Sequence, residues 1–228
     1  NAAQVVRTTH YKNTLPWSDD GWRILPSDNY MVYSEAMRKA RERFEEAVEE
    51  FVQEYPRLVK LAATRLGSMY NRNEYPRAED VVHKFGTDLQ FGPVPISEDI
   101  RVHLPEAVRR KIAKDVKARM QSAIEIAMQE AWDRLGGIVD ELRGKLEDGK
   151  FLRESFIGKV QGVAEAMGRM NITQDPKLET TRKQVLKHLA TLDAKNMRKD
   201  DKARSTALDK ADEILEKMKA AGYYNPAE

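Results

Sequence analysis

The sequence predicts a mainly α-helical protein: an elongated bundle with long helices and one small β-hairpin. Three observations lead there. Apolar residues recur every three or four positions from Val108 through Ile112, Val116, Met120 and Ile124 to Leu142 and Leu146, the period of one helix face. Shorter runs with the same period flank that stretch on both sides. Only one segment, near residues 85–104, changes to a period of two.

Taken in order, residues 1–29 read as an extended arm. Leu15-Pro16-Trp17, Gly21-Trp22-Arg23 and Ile24-Leu25-Pro26 set two of the three tryptophans among Pro, Gly and Asp. Proline denies a helix its donor, and tryptophan wants a pocket. A helix then starts near Ser27 or Asp28, either of which can cap it. Its apolar face runs Tyr30, Met37, Phe44, Val48, Phe51 and Tyr55. Bases precede acids along this helix, against its dipole, and Pro56 is expected to break or kink it. A second piece, Arg57 to Leu66, ends at Gly67. Tyr75-Pro76 opens a short helix with Glu79 and Asp80 in its first turn.

The alternation Phe85, Thr87, Leu89, Phe91, then Ile100, Val102, Leu104, around Gly92-Pro93-Val94-Pro95, predicts the hairpin. The long helix follows over about residues 105–148, roughly 60 Å at ~1.5 Å per residue, in the manner of a coiled-coil strand. Gly136-Gly137 is expected to loosen or kink it, at ~1 kcal/mol per glycine. Three more helices follow: about Arg153 to Met170, one begun by Asp175-Pro176, and Arg204 to Ala221. Between the last two, Asp193 to Arg204 reads as a polar, flexing exit. Tyr223-Tyr224 reads as a packing patch. The expected division is an arm (1–29), a helical domain with the hairpin and long helix (30–149), and a C-terminal helical region (150–228).

Composition narrows the function. Of 228 residues, 33% are charged and the net charge is only +2, so any polyanion partner must be met by local clusters. Cysteine is absent, which excludes disulfides, thiolate catalysis and Cys-built zinc sites. No apolar run reaches the ~18 residues of a membrane span, and Asn1 to Thr9 lacks a signal-peptide core. A soluble cytoplasmic protein is expected. His10, His83, His103 and His188 form no helical ligand pair, and neither GxxxxGK[ST] nor GxGxxG occurs. Catalytic, cofactor and metal residues are all expected to be absent, and the chain is not expected to be an enzyme.

Two kinds of surface remain. The Trp arm and hairpin loop offer Trp17, Trp22, Phe91, Val94 and Ile96 as partner-docking residues. Two basic clusters offer nucleic-acid contacts: Arg109, Arg110, Lys111 and Lys114 on the long helix, and Lys183, Lys187, Lys195, Arg198 and Lys199 further on. No aromatic residue lies between positions 157 and 222, so the second cluster lacks bases' usual stacking partners.

The entry Leu15-Pro16-Trp17, then Tyr55-Pro56-Arg57-Leu58-Val59, Arg65-Leu66-Gly67, the stretch from Asn71 to Tyr75-Pro76, Phe85, and Phe91-Gly92-Pro93-Val94-Pro95 carry a resemblance. Over roughly residues 11–150 the chain resembles a domain family of unknown function borne by tailed phages and mobile elements. The resemblance implies a genomic neighbourhood with a MoxR-type AAA ATPase and a von Willebrand factor A-domain protein. It implies no activity and no functional residue, and the C-terminal third lies outside it. The expected function is thus a non-enzymatic phage accessory protein working by protein–protein contact or self-assembly, as a homo-oligomer or with a phage or host partner. The alternatives are a nucleic-acid-binding protein of phage replication or recombination, and an inhibitor of a host defence system.

Overall fold

A computed structural model describes residues 1–17, 21–94, 105–148 and 152–225. The fold is mainly α. Its helices are α1 (Ala2–Asn13), α2 (Tyr30–Leu66), α3 (Ala78–Val82), α4 (Glu106–Asp148), α5 (Glu154–Met170), α6 (Pro176–His188), α7 (Ala194–Lys199) and α8 (Asp201–Ala220). One antiparallel ribbon joins β1 (Leu15–Pro16) to β2 (Arg23–Ile24), in the register Leu15 to Ile24 and Pro16 to Arg23. The chain forms two units. One holds Asn1–Lys12 and Met31–Val94; the other holds Asn13–Tyr30 and Pro95–Glu228.

The second unit is built on the trailing half of α4. Ala123, Ala127, Ala131, Leu135, Val139, Leu142 and Leu146 are buried along one stripe, with Met128, Trp132 and Ile138 beside it. α8 covers that stripe with Ala211, Ile214, Leu215 and Met218, and α5 covers it with Ile157, Val160, Ala164 and Met167. α6 closes the core with Leu178 and Val185, joined by Leu189 just past its end. Each fully buried large apolar side chain contributes ~1.5–3 kcal/mol.

The helix starts are specified by short acidic caps. Asp175 Oδ1 accepts from the Lys177 amide at 2.8 Å, with Pro176 at the first helical position. Asp193 accepts from the amides of Lys195 and Asn196 at 2.7 and 2.9 Å, and Asp200 from those of Lys202 and Ala203 at 3.0 Å. The supposed flexing exit is therefore one short capped helix, α7, and the first turn of α8. The amides facing Asp193 also hold its carboxyl below the usual range.

Residues 13–30 clip onto this core. Leu15 is fully buried against α4. The Thr14 carbonyl accepts from the guanidinium groups of Arg134 (3.1 Å) and Arg23 (3.0 Å). Asn29, also fully buried, donates to the Asn13 carbonyl at 2.8 Å and accepts from Arg169 at 2.9 Å. Three arginines thus satisfy polar groups that burial would otherwise penalise.

The first unit has a much smaller core. Tyr33, Met37 and Ala40 of α2 and Val81 of α3 are its buried apolar residues among those described. His10 of α1 hydrogen-bonds the Tyr33 hydroxyl at 2.9 Å, and burial raises the pKa of that phenol. Gly67, at φ +50°, ends α2 in the left-handed conformation that glycine adopts without penalty.

Several expectations are corrected. The ribbon lies at residues 15–24, inside the supposed arm, and residues 2–13 are helical. No strand forms over Phe85 to Val94, and residues 95–104 lie outside those described. The period of two there belongs to an extended strip along α2. Thr87 Oγ1 accepts from Arg41 at 3.0 Å, Phe85 meets Phe51 at 5.6 Å, and Thr87 and Leu89 are half-buried while their neighbours are exposed. α2 runs unbroken through Pro56, because one missing donor is outweighed by helix on both sides. α4 runs unbroken through Gly136-Gly137. The long helix shares a unit with the C-terminal helices, so the division falls before Pro95 and not near Gly149.

Gly136 has a packing role. A Cβ there would lie far inside contact distance of the Tyr224 ring, which is itself buried. Helix propensity alone makes Gly136→Ala stabilising by ~1 kcal/mol. Overpacking costs ~1–3 kcal/mol and should win. Gly136→Ala is expected to lower the melting temperature in a thermal scan, and Gly137→Ala, whose Cβ meets nothing within 4 Å, is expected to raise it or leave it unchanged.

Candidate interaction surfaces

The apolar period of α4 does not stop where its cover stops. From Glu106 to Ser122 no residue of the helix is buried. Val108 is 42% exposed, Ile112, Val116 and Met120 are half-exposed, and Ile126 is 56% exposed. A solvated helix does not need an apolar stripe, so this one stands apart from the rest of the described surface.

The same segment is basic. Arg109 and Arg110 both turn back to Glu106. Lys111, Lys114, Lys117 and Arg119 are exposed and form no ion pair among the described residues. The second cluster is partly consumed by the fold. Arg182 is turned inward: its Nε and Nη2 donate to Glu179 at 2.8 and 2.7 Å, and its guanidinium packs over Gly168. Lys183 shares Glu179 at 3.3 Å, and Arg204 is held by Asp201. Lys187 on α6 and Lys195, Arg198 and Lys199 on α7 remain exposed without ion pairs among the described residues.

The residues expected to dock a partner fall in different units. Trp17 is half-buried and Trp22 is 46% exposed, both in the second unit. Phe91, 61% exposed, and Val94, 43% exposed, belong to the first, where Phe91 meets the edge of Tyr33 at 6.4 Å. Ile96 lies outside the described residues. The structure therefore does not bring these five into one described patch.

Two clefts escape sequence reasoning, because each joins residues distant along the chain. In the second unit, Trp132 of α4 stacks on Tyr223 at 4.4 Å with the rings nearly parallel, and Lys177 Nζ donates to the Tyr223 hydroxyl at 2.9 Å. A cleft of about 350 Å³ opens beside them. Its two lysines are engaged, Lys177 by Tyr223 and Lys217 by Glu213 at 2.7 Å. In the first unit, a cleft of about 370 Å³ lies between the last turns of α2 and the segment leading into α3. Tyr223 was legible as a packing residue, but its Trp132 partner was not.

Among the described residues no three His, Asp or Glu side chains gather to hold a metal, and no helix is long and apolar enough to cross a membrane. Comparisons with family models, curated proteins and solved structures return no match to this chain.

The Arg182–Glu179 pair has a readable signature. Hydrogen bonds from Arg182, then from Lys183, hold the Glu179 carboxyl at about 2, below its ordinary 4.5. A carboxyl with a depressed folded-state pKa stabilises above its unfolded value and loses that contribution as pH falls toward the folded one. The stability gap between wild type and Glu179→Gln is expected to be constant above about pH 4.5 and to shrink between 4.5 and 2. Denaturant melts at several pH values measure it.

Proposed function

We propose that this chain is a non-enzymatic accessory protein that self-associates, with the leading half of α4 as its contact surface and a second copy as the occupant. One observation carries the reading: Val108, Ile112, Val116 and Met120 keep a helix-face period over the very turns where no residue of α4 is buried. Charge favours a second copy. α2 presents Glu45, Glu46, Glu49 and Glu50, all exposed and without ion pairs among the described residues. Lys111, Lys114, Lys117 and Arg119 of α4 are their complement in sign and number. Laying α4 of one copy along α2 of another would cover the apolar stripe and neutralise both rows. Electrostatic matching of this kind sets register and partner choice more than raw affinity.

The resemblance to the phage-borne family adds a second expected partner, a MoxR-type AAA ATPase, which an assembled oligomer could engage. A nucleic-acid reading is favoured by the same four unpaired cations of α4, joined by Lys187, Lys195, Arg198 and Lys199.

Native mass measurement across protein concentration and salt tests the proposal. The wild type is expected to form oligomers that weaken as salt rises. The double variant Ile112→Asp, Val116→Asp should be monomeric with unchanged helical circular dichroism. Lys114→Glu should weaken assembly, and Glu49→Lys in the same chain should restore part of it. A concentration-independent monomer in the wild type would overturn self-association. Oligonucleotide binding whose log affinity falls by several units per log unit of salt would favour the nucleic-acid reading instead.

A further inference from the structure

We infer that the cleft of the first unit is a binding site for a small phosphate-bearing ligand with a planar or apolar body, the chemistry of a nucleoside diphosphate. The inference goes beyond the assembly reading and does not rest on it.

The cleft is built by a local reversal of the chain. α2 ends at Leu66, and Gly67 at positive φ turns the backbone. The Asn71 side chain then accepts from the Asn73 amide at 3.1 Å and donates to Glu74 at 3.2 Å, fixing a single 3-10 turn over Arg72–Glu74. Tyr75 stacks on Tyr70 at 5.1 Å with rings 27° apart. Arg72 Nη1 donates to the Tyr75 carbonyl. These contacts lay the segment against α2 and leave a space of about 370 Å³, within the size of ordinary ligand sites.

The lining has an unusual chemistry. Lys60, Arg72 and Arg77 all border the space, and no acidic residue does. None of the three forms an ion pair among the described residues. Glu74, two residues after Arg72, is occupied by Asn71, and Glu79, two residues after Arg77, does not line the space. Three like charges around one cleft repel one another, and an anion between them relieves that repulsion while accepting charge-assisted hydrogen bonds. Arginine forks match phosphate oxygens in particular. The floor is apolar, formed by Val59, Ala63 and Ala78, and Tyr70 supplies an aromatic wall. A bare phosphate would use the rim and leave the floor empty. A ligand joining a di- or triphosphate charge to a ring or apolar body would use both.

The absence of glycine-rich phosphate loops does not conflict with this. Such loops bind phosphate through backbone amides at a helix start. Here side-chain cations do so from the end of one helix and the approach to another. By contrast the cleft beside Trp132 has both lysines already bound, so it carries no comparable charge imbalance.

The test titrates the full chain with ADP, inorganic pyrophosphate and adenosine at low salt, following methyl NMR signals of Ala63 and Ala78. ADP is expected to saturate with a single site, pyrophosphate to bind more weakly, and adenosine not to saturate. Lys60 and Arg77 are exposed, so Lys60→Gln and Arg77→Gln should fold normally, and each should weaken ADP by about tenfold. The oligomeric state should not change with ADP. No saturation by ADP or pyrophosphate at about 1 mM, affinity unchanged in the double variant, or saturation by a single-stranded oligonucleotide but not by ADP would overturn the inference.

Discussion

The second unit depends on the burial of one helix stripe, Ala123 to Leu146 of α4, beneath α5, α6 and α8. Several other contacts in that unit refer to it. The clip of residues 13–30 is fixed by Arg134 on α4, the aromatic stack begins at Trp132 on α4, and the Tyr224 ring enters the notch at Gly136. Small residues at 123, 127 and 131 let neighbouring helices approach closely, while leucines at 135, 142 and 146 fill the wider part of the core. The leading half of the same helix has no such cover. Its helicity is sustained by propagation from the packed half, by local pairs such as Glu106 with Arg110, and by the Gln121–Glu125 hydrogen bond at 3.0 Å.

The two units reach order by different means. The second is a conventional apolar core sealed by satisfied polar groups. The first buries few apolar residues and carries ladders of charge along α2. Arg38 and Lys39 hold the Glu35 carboxyl at about 2, and Arg38 also reaches Glu42. All four side chains are more than half exposed, so these pairs tune the helix surface and add little stability. They also explain how α2 tolerates a base-to-acid order against its dipole: the mismatch is neutralised locally, within single turns, before the unpaired acids at 45–50 begin. Phe51, Leu58, Leu61, Leu66 and Met69 of this unit stay exposed.

Helices were legible wherever a period of 3.6 coincided with burial, as in α4, α5 and α8, and wherever a start or stop residue had one plausible role, as with Asp175-Pro176 and Gly67. Legibility failed where local signals have two solutions. Alternation over Phe85 to Phe91 fits a strand or an extended strip on a helix, and the choice was made by Arg41 and Phe51, more than 30 residues away. α1 carries no apolar stripe and buries nothing, so periodicity had nothing to detect. Pro56 and Gly136-Gly137 look like breaks in isolation, but long helices absorb one weak position when both flanks hold. Basic residues could be counted in the sequence, but not sorted: only the fold distinguishes Arg182, turned inward over Gly168, from Lys187, left in solvent. The clefts were invisible for the same reason, since each is closed by residues that meet only after the chain reverses.

The notch at Gly136 also bears on biosynthesis. Tyr224, which fills it, is made well after Leu146 completes the stripe, and α8, the main cover of α4, is made only shortly before Tyr224. A growing chain therefore holds the finished stripe of α4 without α8 while residues 147 to 224 are added, an interval on the order of 4–16 s at elongation rates of about 5–20 residues per second. During that interval the part of the stripe that α8 covers is exposed, and a neighbouring nascent chain or a chaperone can shelter it.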